Sequence, residues 1–281
     1  MFKRIYLEIT NVCNLRCSFC PGTKREKRFL SVEEFRHLAA KLRPHTDYLY
    51  LHVMGEPLLH PQLDDILAIA HELGFRVCLT TNGTLLSKTG EILLRSKALH
   101  KISVSLHSFE GNDRQEEMTD YLDAVWQFCR KAAAHGVLCA LRLWNEGGQE
   151  KRNGEIYDYL SDQLGFAVEM TPVDARGNRR LCDRIFLERA EKFDWPDTAA
   201  EEREVQFCHA LSQQIAVLCD GTVVPCCLDG QGVITLGNLF TDELTAILNA
   251  PRTVAMREGF RRREPCEELC KKCGYATRFN R

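Results

Sequence analysis

Three cysteines, Cys13, Cys17 and Cys20, fall within eight residues near the start of the chain. Three thiolates at this spacing can wrap a soft metal or the corners of an iron–sulfur cube. Three is one short of the four ligands that close a structural site, and an open coordination position is what a catalytic centre keeps. A second set lies far downstream: Cys208 and Cys226, then Cys270 and Cys273 in Cys270-Lys271-Lys272-Cys273. Four thiolates fill a coordination sphere, so this set reads as a closed site for Zn²⁺ or for a second iron–sulfur cluster, and spacing alone leaves both open. Cys266 either replaces Cys270 or stands free. Cys78, Cys129 and Cys139 sit in strand and helix patterns and read as small buried apolar residues; Cys182 and Cys219 read as incidental too. Cys227, beside a ligand, reads as structural, with a hydrogen or proton donor to substrate as the alternative.

Composition bounds the rest. The chain has 281 residues, 44% of them hydrophobic, with 37 Lys+Arg against 39 Asp+Glu. That is enough apolar content for a large core and too much for disorder. A net charge of -2 excludes a wholly basic nucleic-acid coat. No apolar run approaches the roughly 20 residues that span a bilayer, and the N-terminus enters a strand-like run with no signal-peptide core. Fourteen cysteines in a chain of this kind point to thiolate sites in a reducing cytoplasm rather than to disulfides.

These residues need a frame. Strand-like runs over 4–9, 48–53, 75–80, 101–106, 137–143 and 166–170 alternate with helical patterns over 32–42, 63–73, 85–95, 121–134 and 156–164. Ser31, followed three residues later by Glu34, marks a helix start; Gly74, Gly136 and Gly165 mark helix ends. Such βα repeats call for parallel strands with helical crossovers. The fold expected is α/β, a partial (β/α)6 barrel over 1–170, then a bridge with one helix over 171–206, then a small C-terminal cysteine-rich α+β domain over 207–281. That last part carries a hairpin about Asp220-Gly221 and two short helices, and it is too short to bury much core without a staple. Strand parity sets Ile5, Leu7, Ile9, Leu49, Leu51, Ile102, Val104 and Leu141 on one face. Tyr6, Glu8, Tyr50, His52, Ser103, Ser105, His107, Arg142 and Trp144 take the other, lining a polar hollow, since parallel sheets seldom leave a face bare. His52 and His107 read there as hydrogen-bonding residues rather than ligands.

The three-cysteine loop directly after the first strand resembles that of the radical S-adenosylmethionine (radical SAM) enzymes. Gly55-Glu56-Pro57 after the second strand is similar to that family's GGEP element, with Met54 in place of the first glycine. Thr80-Thr81-Asn82-Gly83 after the third strand and Ser103-Val104-Ser105-Leu106 on the fourth follow in the family's order. The Asp-Gly that often comes next in the family is His107-Ser108 here. The resemblance covers 5–170. It implies a 4Fe–4S cluster on Cys13, Cys17 and Cys20 whose fourth iron is chelated by S-adenosylmethionine. Reductive cleavage to a 5′-deoxyadenosyl radical and hydrogen abstraction from a substrate would follow. It also implies that the backbone at Gly55-Glu56, held by Pro57, accepts from the cofactor's ammonium. Asn82, Ser105 and Arg142 would meet its ribose or carboxylate, and Phe19 would shield the cluster or flank adenine. For each of these the plainer reading is a buried side chain satisfied by its neighbours. Cys208, Gly221, Cys226 and Leu236-Gly237-Asn238-Leu239 resemble the SPASM or shorter Twitch auxiliary-cluster domain. The full two-cluster cysteine set of that domain is not present, which implies one auxiliary 4Fe–4S cluster on Cys208, Cys226, Cys270 and Cys273; a structural zinc stays open.

An auxiliary cluster held only by cysteines suits electron transfer during an oxidation. The resemblance implies oxidative modification of a peptide, a protein or a small molecule, with an external one-electron reductant of the flavodoxin or ferredoxin class as partner. The chain opens directly at its first strand, which argues against dependence on a leader peptide. The runner-up substrate is RNA. Lys24, Arg25, Lys27 and Arg28 follow the first cysteines, and residues 251–281 hold nine Lys/Arg against four acids; a solvated basic face explains the same charges. A non-catalytic electron carrier or zinc-stapled interaction protein is the reading of another class, and the open three-cysteine site argues against it. No membrane partner and no catalytic side chain are assigned.

Overall fold

A computed structural model of the chain describes residues 1–112, 118–148, 150–175, 177–205 and 207–280. Its strands are β1 (Arg4–Leu7), β2 (Tyr48–Tyr50), β3 (Arg76–Thr81), β4 (Leu99–Ser105), β5 (Leu138–Glu146), β6 (Arg179–Cys182), β7 (Ile185–Glu191), β8 (Gln214–Val217), β9 (Thr222–Val224) and β10 (Gly237–Asn238). They form one sheet in the order β10-β9-β8-β1-β2-β3-β4-β5-β7-β6. From β8 to β7 every neighbouring pair is parallel; β6, β9 and β10 pair antiparallel at the two edges. The helices are α1 (Val32–Leu42), α2 (Leu63–Glu72), α3 (Leu86–Arg95), α4 (His107–Glu110), α5 (Met118–Ala134), α6 (Asn153–Leu164), α7 (Leu244–Asn249), α8 (Pro251–Arg261) and α9 (Glu268–Lys271). The architecture is the expected partial α/β barrel with a cysteine-bearing C-terminal part.

Local chemistry places these elements. Ser31 caps α1 through a reciprocal box: its hydroxyl accepts from the Glu34 N–H at 3.1 Å, and the Glu34 carboxylate accepts from the Ser31 N–H at 2.8 Å. Such a cap is worth about 1 kcal/mol. Gly165 ends α6 in the left-handed conformation, with φ 75°. Ile5, Leu7, Leu49, Val77, Ile102, Val104, Ile185 and Leu187 face the helices and are wholly buried. Each contributes on the order of 1.5–3 kcal/mol of burial.

Two elements differ from expectation. The run 166–170 is not a strand; Val168–Met170 form one 3-10 turn. The sixth parallel strand is β7, from the segment read as a bridge with one helix, and among the described residues 171–206 hold strands β6 and β7 and no helix. Phe166 and Met170 are exposed, while Ile185 and Leu187 are buried at the register that pairs with Cys139 and Leu141. Burial against β5 decides which short apolar run joins the sheet. The hairpin about Asp220-Gly221 is present, but β8 also lies parallel beside β1. Ile215, Val217, Val223, Leu244, Ile247, Met256 and Phe260 belong to the same apolar cluster as β1 and α1, so the C-terminal part shares the main core.

Candidate functional site

The loop carrying Cys13, Cys17 and Cys20 leaves the carboxyl end of β1, where ligands bind in α/β sheets. It is pinned at its far end. The Thr10 hydroxyl donates to the Arg28 carbonyl at 2.9 Å, and the Asn11 amide donates to the Glu26 carbonyl at 2.7 Å and accepts from the Arg28 N–H at 3.0 Å. All fourteen cysteines are free thiols. Burial raises the thiols of Cys13, Cys17 and Cys20 above the ordinary value, and each also feels the charge of another of the three. A cationic iron centre that takes thiolates relieves both effects, so the donor set fits a cluster with three protein ligands.

The Gly55-Glu56-Pro57 turn packs directly on this loop. The Glu56 N–H donates to the Val12 carbonyl at 2.8 Å. Gly55 has φ +77°, and a Cβ there would lie 2.6 Å from the Thr10 carbonyl oxygen and 2.8 Å from that of Val12. Only glycine fits this conformation and approach. The Glu56 side chain does not face outward. It is 1% exposed and accepts from the Thr81 hydroxyl and the Asn82 N–H, each at 2.8 Å, and from the Leu58 N–H at 3.0 Å. Burial pushes its carboxyl up to about 7 against those three donors. Its chemistry is to bolt the turn, which Pro57 continues as a 3-10 segment, to the end of β3. Asn82 is engaged likewise: its amide donates to Asn14 in the cysteine loop at 2.9 Å and accepts from the Thr84 hydroxyl at 2.7 Å.

The polar side chains of β1 to β5 and β7 meet on one side of the sheet, the face expected to line the hollow. Arg142 reaches across it from β5: its Nε lies 3.0 Å from Glu188, its Nη1 3.2 Å from the Thr80 hydroxyl, and its guanidinium 4.6 Å from the Trp144 ring. Lys101 reaches the same Glu188 at 2.6 Å. Ser105 sits beside Arg142 in register. Tyr6, Tyr50 and His52 are in mutual ring contact. His52 is held neutral, its pKa pushed down to about 3 by burial and then by Arg142. Its Nδ1 and the Arg4 Nε are buried with no hydrogen-bond partner among the described residues. Above the hollow, Phe19, His107, Trp144 and Lys192 line a cavity of about 220 Å³. His107, pushed down to about 4 by burial, is neutral, and its Nδ1 lies 3.1 Å from the Arg142 carbonyl.

Cys208, Cys226, Cys270 and Cys273 line one further cavity, with Pro196, Phe260, Leu269 and Tyr275. Exposed Cys266 is not among its lining residues. Among the described residues no three His, Cys, Asp or Glu side chains converge closely enough to hold a single metal ion. A cube spreads its thiolates over four irons and accepts wider spacing. Cys227 points away from this cavity and packs with Tyr6, Ala216, Leu218 and Val224. Of the remaining cysteines, Cys78, Cys129 and Cys139 are buried, as expected of small apolar residues, and Cys182 is half-buried beside Arg130.

Sequence reasoning missed the residues that join these parts. Glu8, wholly buried, receives Arg25 at 2.7 Å on both carboxylate oxygens, the Met54 N–H at 3.0 Å and the Cys219 N–H at 3.0 Å. Arg25 also donates to the Gly230 carbonyl at 2.8 Å. A lone carboxylate on the inward face of an apolar strand needs a buried cation, and that was the available signal. Trp195 donates to the Phe19 carbonyl at 3.0 Å from the segment beyond β7. Asn112 reaches Cys17 from beyond α4. No spacing rule marked either residue.

A parallel α/β sheet with an open three-thiolate loop at the end of its first strand and a four-thiolate cavity behind it defines a class that comparison with known proteins makes specific. The model of the radical SAM superfamily matches residues 7–156, more than half of the chain, and the protein belongs to that superfamily; the model of an iron–sulfur cluster-binding domain matches residues 208–274. Membership implies a 4Fe–4S cluster with S-adenosylmethionine, and the second match implies auxiliary iron–sulfur binding. The chain is 28% identical over 159 residues to Fe-coproporphyrin III synthase of Methanosarcina barkeri, covering 55% of this chain and 40% of that one. It is 25% identical over 267 residues to the antilisterial bacteriocin subtilosin biosynthesis protein AlbA of Bacillus subtilis, covering 87% and 59%. It thus spans less than two thirds of the length of these curated relatives. The fold is similar to that of Streptococcus suis SuiB bound to precursor peptide SuiA, with TM-score 0.60 and 18% identity over 97% of this chain and 70% of that one.

Proposed function

We propose that the protein is an enzyme that cleaves S-adenosylmethionine reductively and removes hydrogen from a substrate held in the polar hollow, as one step of an oxidation. The observation that carries this is the packing of the Gly55-Glu56-Pro57 turn onto the open three-cysteine loop above that hollow. Cys13, Cys17 and Cys20 would hold the catalytic cluster; Cys208, Cys226, Cys270 and Cys273 would hold an auxiliary one. When bound, the first cluster supplies the electron that breaks the sulfonium of S-adenosylmethionine. The chain's own residues do the rest. The Gly55-Glu56 backbone receives the ammonium, Phe19 covers one side of the loop, and Ser105 and Arg142 meet polar groups from below. Asn82 acts by holding Asn14 and the cysteine loop in place. We divide the work along the chain as a catalytic barrel over 1–170 that β6 and β7 of the segment 171–206 complete, and an auxiliary-cluster part over 207–281.

Radical SAM enzymes draw on a reductant, and we assign a flavodoxin- or ferredoxin-class protein to that role. The substrate we favour is a peptide, supported by the likeness to AlbA and SuiB, with a small molecule as the other outcome, supported by the likeness to Fe-coproporphyrin III synthase. An RNA substrate has less support: at the rim, Arg25 is spent on Glu8, Arg28 on Glu34 and Lys27 on the Asn11 carbonyl. Among the described residues no helix is long and apolar enough to cross a membrane, and fourteen free thiols suit the reducing cytoplasm. The test is anaerobic reconstitution with iron and sulfide, then dithionite and S-adenosylmethionine. 5′-Deoxyadenosine is expected from the wild type and not from Cys17→Ala. Its absence from reconstituted wild type would refute the proposal.

A further inference from the structure

On the reading that Cys17 holds an iron of the catalytic cluster, we infer that Asn112 and Ser108 are positioning residues that set how easily that cluster is reduced. The segment Ser108–Asn112 runs off the end of β4 and grips the cysteine loop on both sides of its middle cysteine. The Asn112 amide nitrogen lies 3.1 Å from the Cys17 sulfur and 2.6 Å from the Ser108 carbonyl. Its amide oxygen accepts from the Arg16 N–H at 2.8 Å. The Ser18 N–H donates to the Gly111 carbonyl at 2.8 Å. Buried Ser108 faces the same sulfur, where its hydroxyl counters the rise that burial gives the Cys17 thiol. Gly111 lets the two segments meet, because a Cβ there would lie 2.7 Å from the Phe19 ring. Among the described residues, Cys17 alone of the three thiols thus receives a side-chain hydrogen bond from another element; Cys13 and Cys20 take backbone N–H groups of their own loop, Leu15 at 3.4 Å and Gly22 at 3.5 Å.

The physical consequence follows from charge. Reduction adds one electron and no proton, and the added charge spreads onto the thiolate sulfurs. A donor aimed at a sulfur stabilises the more negative state, so each such bond raises the potential. The segment that grips Cys17 begins at Ser108, the second residue of the dipeptide that stands where the family often has Asp-Gly.

Asn112→Asp separates the two tasks of this amide. The aspartate keeps an oxygen for the Arg16 N–H, and the Ser18–Gly111 backbone bond keeps the grip, while the donor to the Ser108 carbonyl is lost and the donor at Cys17 becomes an acceptor. An EPR-monitored redox titration of the reconstituted full-length protein follows the signal that changes on adding S-adenosylmethionine. Asn112→Asp is expected to keep wild-type iron and to lower the ratio of reduced to oxidised cluster at a fixed potential about tenfold, a negative shift of about 59 mV for a one-electron couple. Ser108→Ala is expected to shift the potential in the same direction. Full iron with an unchanged potential in both variants overturns the inference. So does loss of iron from Asn112→Asp together with an unshifted Ser108→Ala, since the segment would then only hold the loop. A wild type without any signal responsive to S-adenosylmethionine refutes the assignment of the cluster to this loop, a separate failure.

Discussion

Gly55 and Glu56 show how single residues hold the site. At Gly55 a side chain meets both a left-handed φ and three backbone atoms within 3 Å. The conformation alone costs about 1–2 kcal/mol for a residue with a Cβ. The contacts cannot relax without moving the cysteine loop. Gly55→Ala should therefore lower the urea midpoint and also leave the reconstituted protein short of iron, measured as iron per chain. Glu56 carries a pH signature. Its pKa rises from an ordinary 4.5 to about 7 in the fold because burial outweighs its three donors. A raised carboxyl contributes stability that is complete below pH 4.5 and is lost as the pH climbs toward 7. About 3 kcal/mol is at stake for a group this buried. Chemical unfolding of the iron-free protein should show stability falling across that window, and Glu56→Gln should flatten it. An equal slope in the variant would place the titration elsewhere. Gly55 was legible as a residue type in a motif. The inward role of the Glu56 side chain was not, because its partners Thr81 and Asn82 come from a different strand end.

At the scale of elements, α1 was legible to the residue because its signals are local: a Ser31–Glu34 box and a Phe35, Leu38, Leu42 stripe. The sixth parallel strand, β7, was not. The run 166–170 is short and apolar, β7 opens on Ile185-Phe186-Leu187 and ends charged, and only β7 has β5 beside it. A decision made by a neighbour distant in sequence leaves no local mark. The same holds for the joint between elements at Glu8. This carboxylate ties β1 to the post-cysteine loop through Arg25, to the Gly55 turn through Met54 and to the β8–β9 hairpin through Cys219. The pair is almost fully removed from water, with side-chain exposures of 12% and 0%. Arg25→Met would strand a buried charge, at a cost of about 3–5 kcal/mol, whereas Glu8→Leu with Arg25→Met removes both charges and should recover much of that loss. Thermal unfolding of the two variants checks this. If both lose the same stability, the four-way joint matters through its hydrogen bonds rather than its charge.

At the scale of the whole molecule, the cysteine-rich end is not an appendage that depends on its metal. Sequence length alone makes residues 207–281 too few to hold a core unaided. The structure supplies the missing core from elsewhere: β8 lies along β1, and Ile215, Val217, Leu244, Ile247 and Phe260 pack into the barrel's own apolar cluster. Folding and cluster binding are therefore separable. Cys270→Ser with Cys273→Ser should reduce the iron of the reconstituted protein to about half. It should leave one cooperative unfolding transition and leave reductive formation of 5′-deoxyadenosine intact, because the three-cysteine loop contacts this end mainly through Arg25 and the neighbours of Gln231 rather than through the four thiols. Limited proteolysis gives the opposing outcome a clear form. An independent, metal-stapled domain would be digested after the double substitution while a stable fragment ending near residue 206 survives, whereas a shared core protects both ends or neither. Retained resistance together with halved iron would establish that the auxiliary site is built on the barrel's fold and contributes chemistry rather than structure.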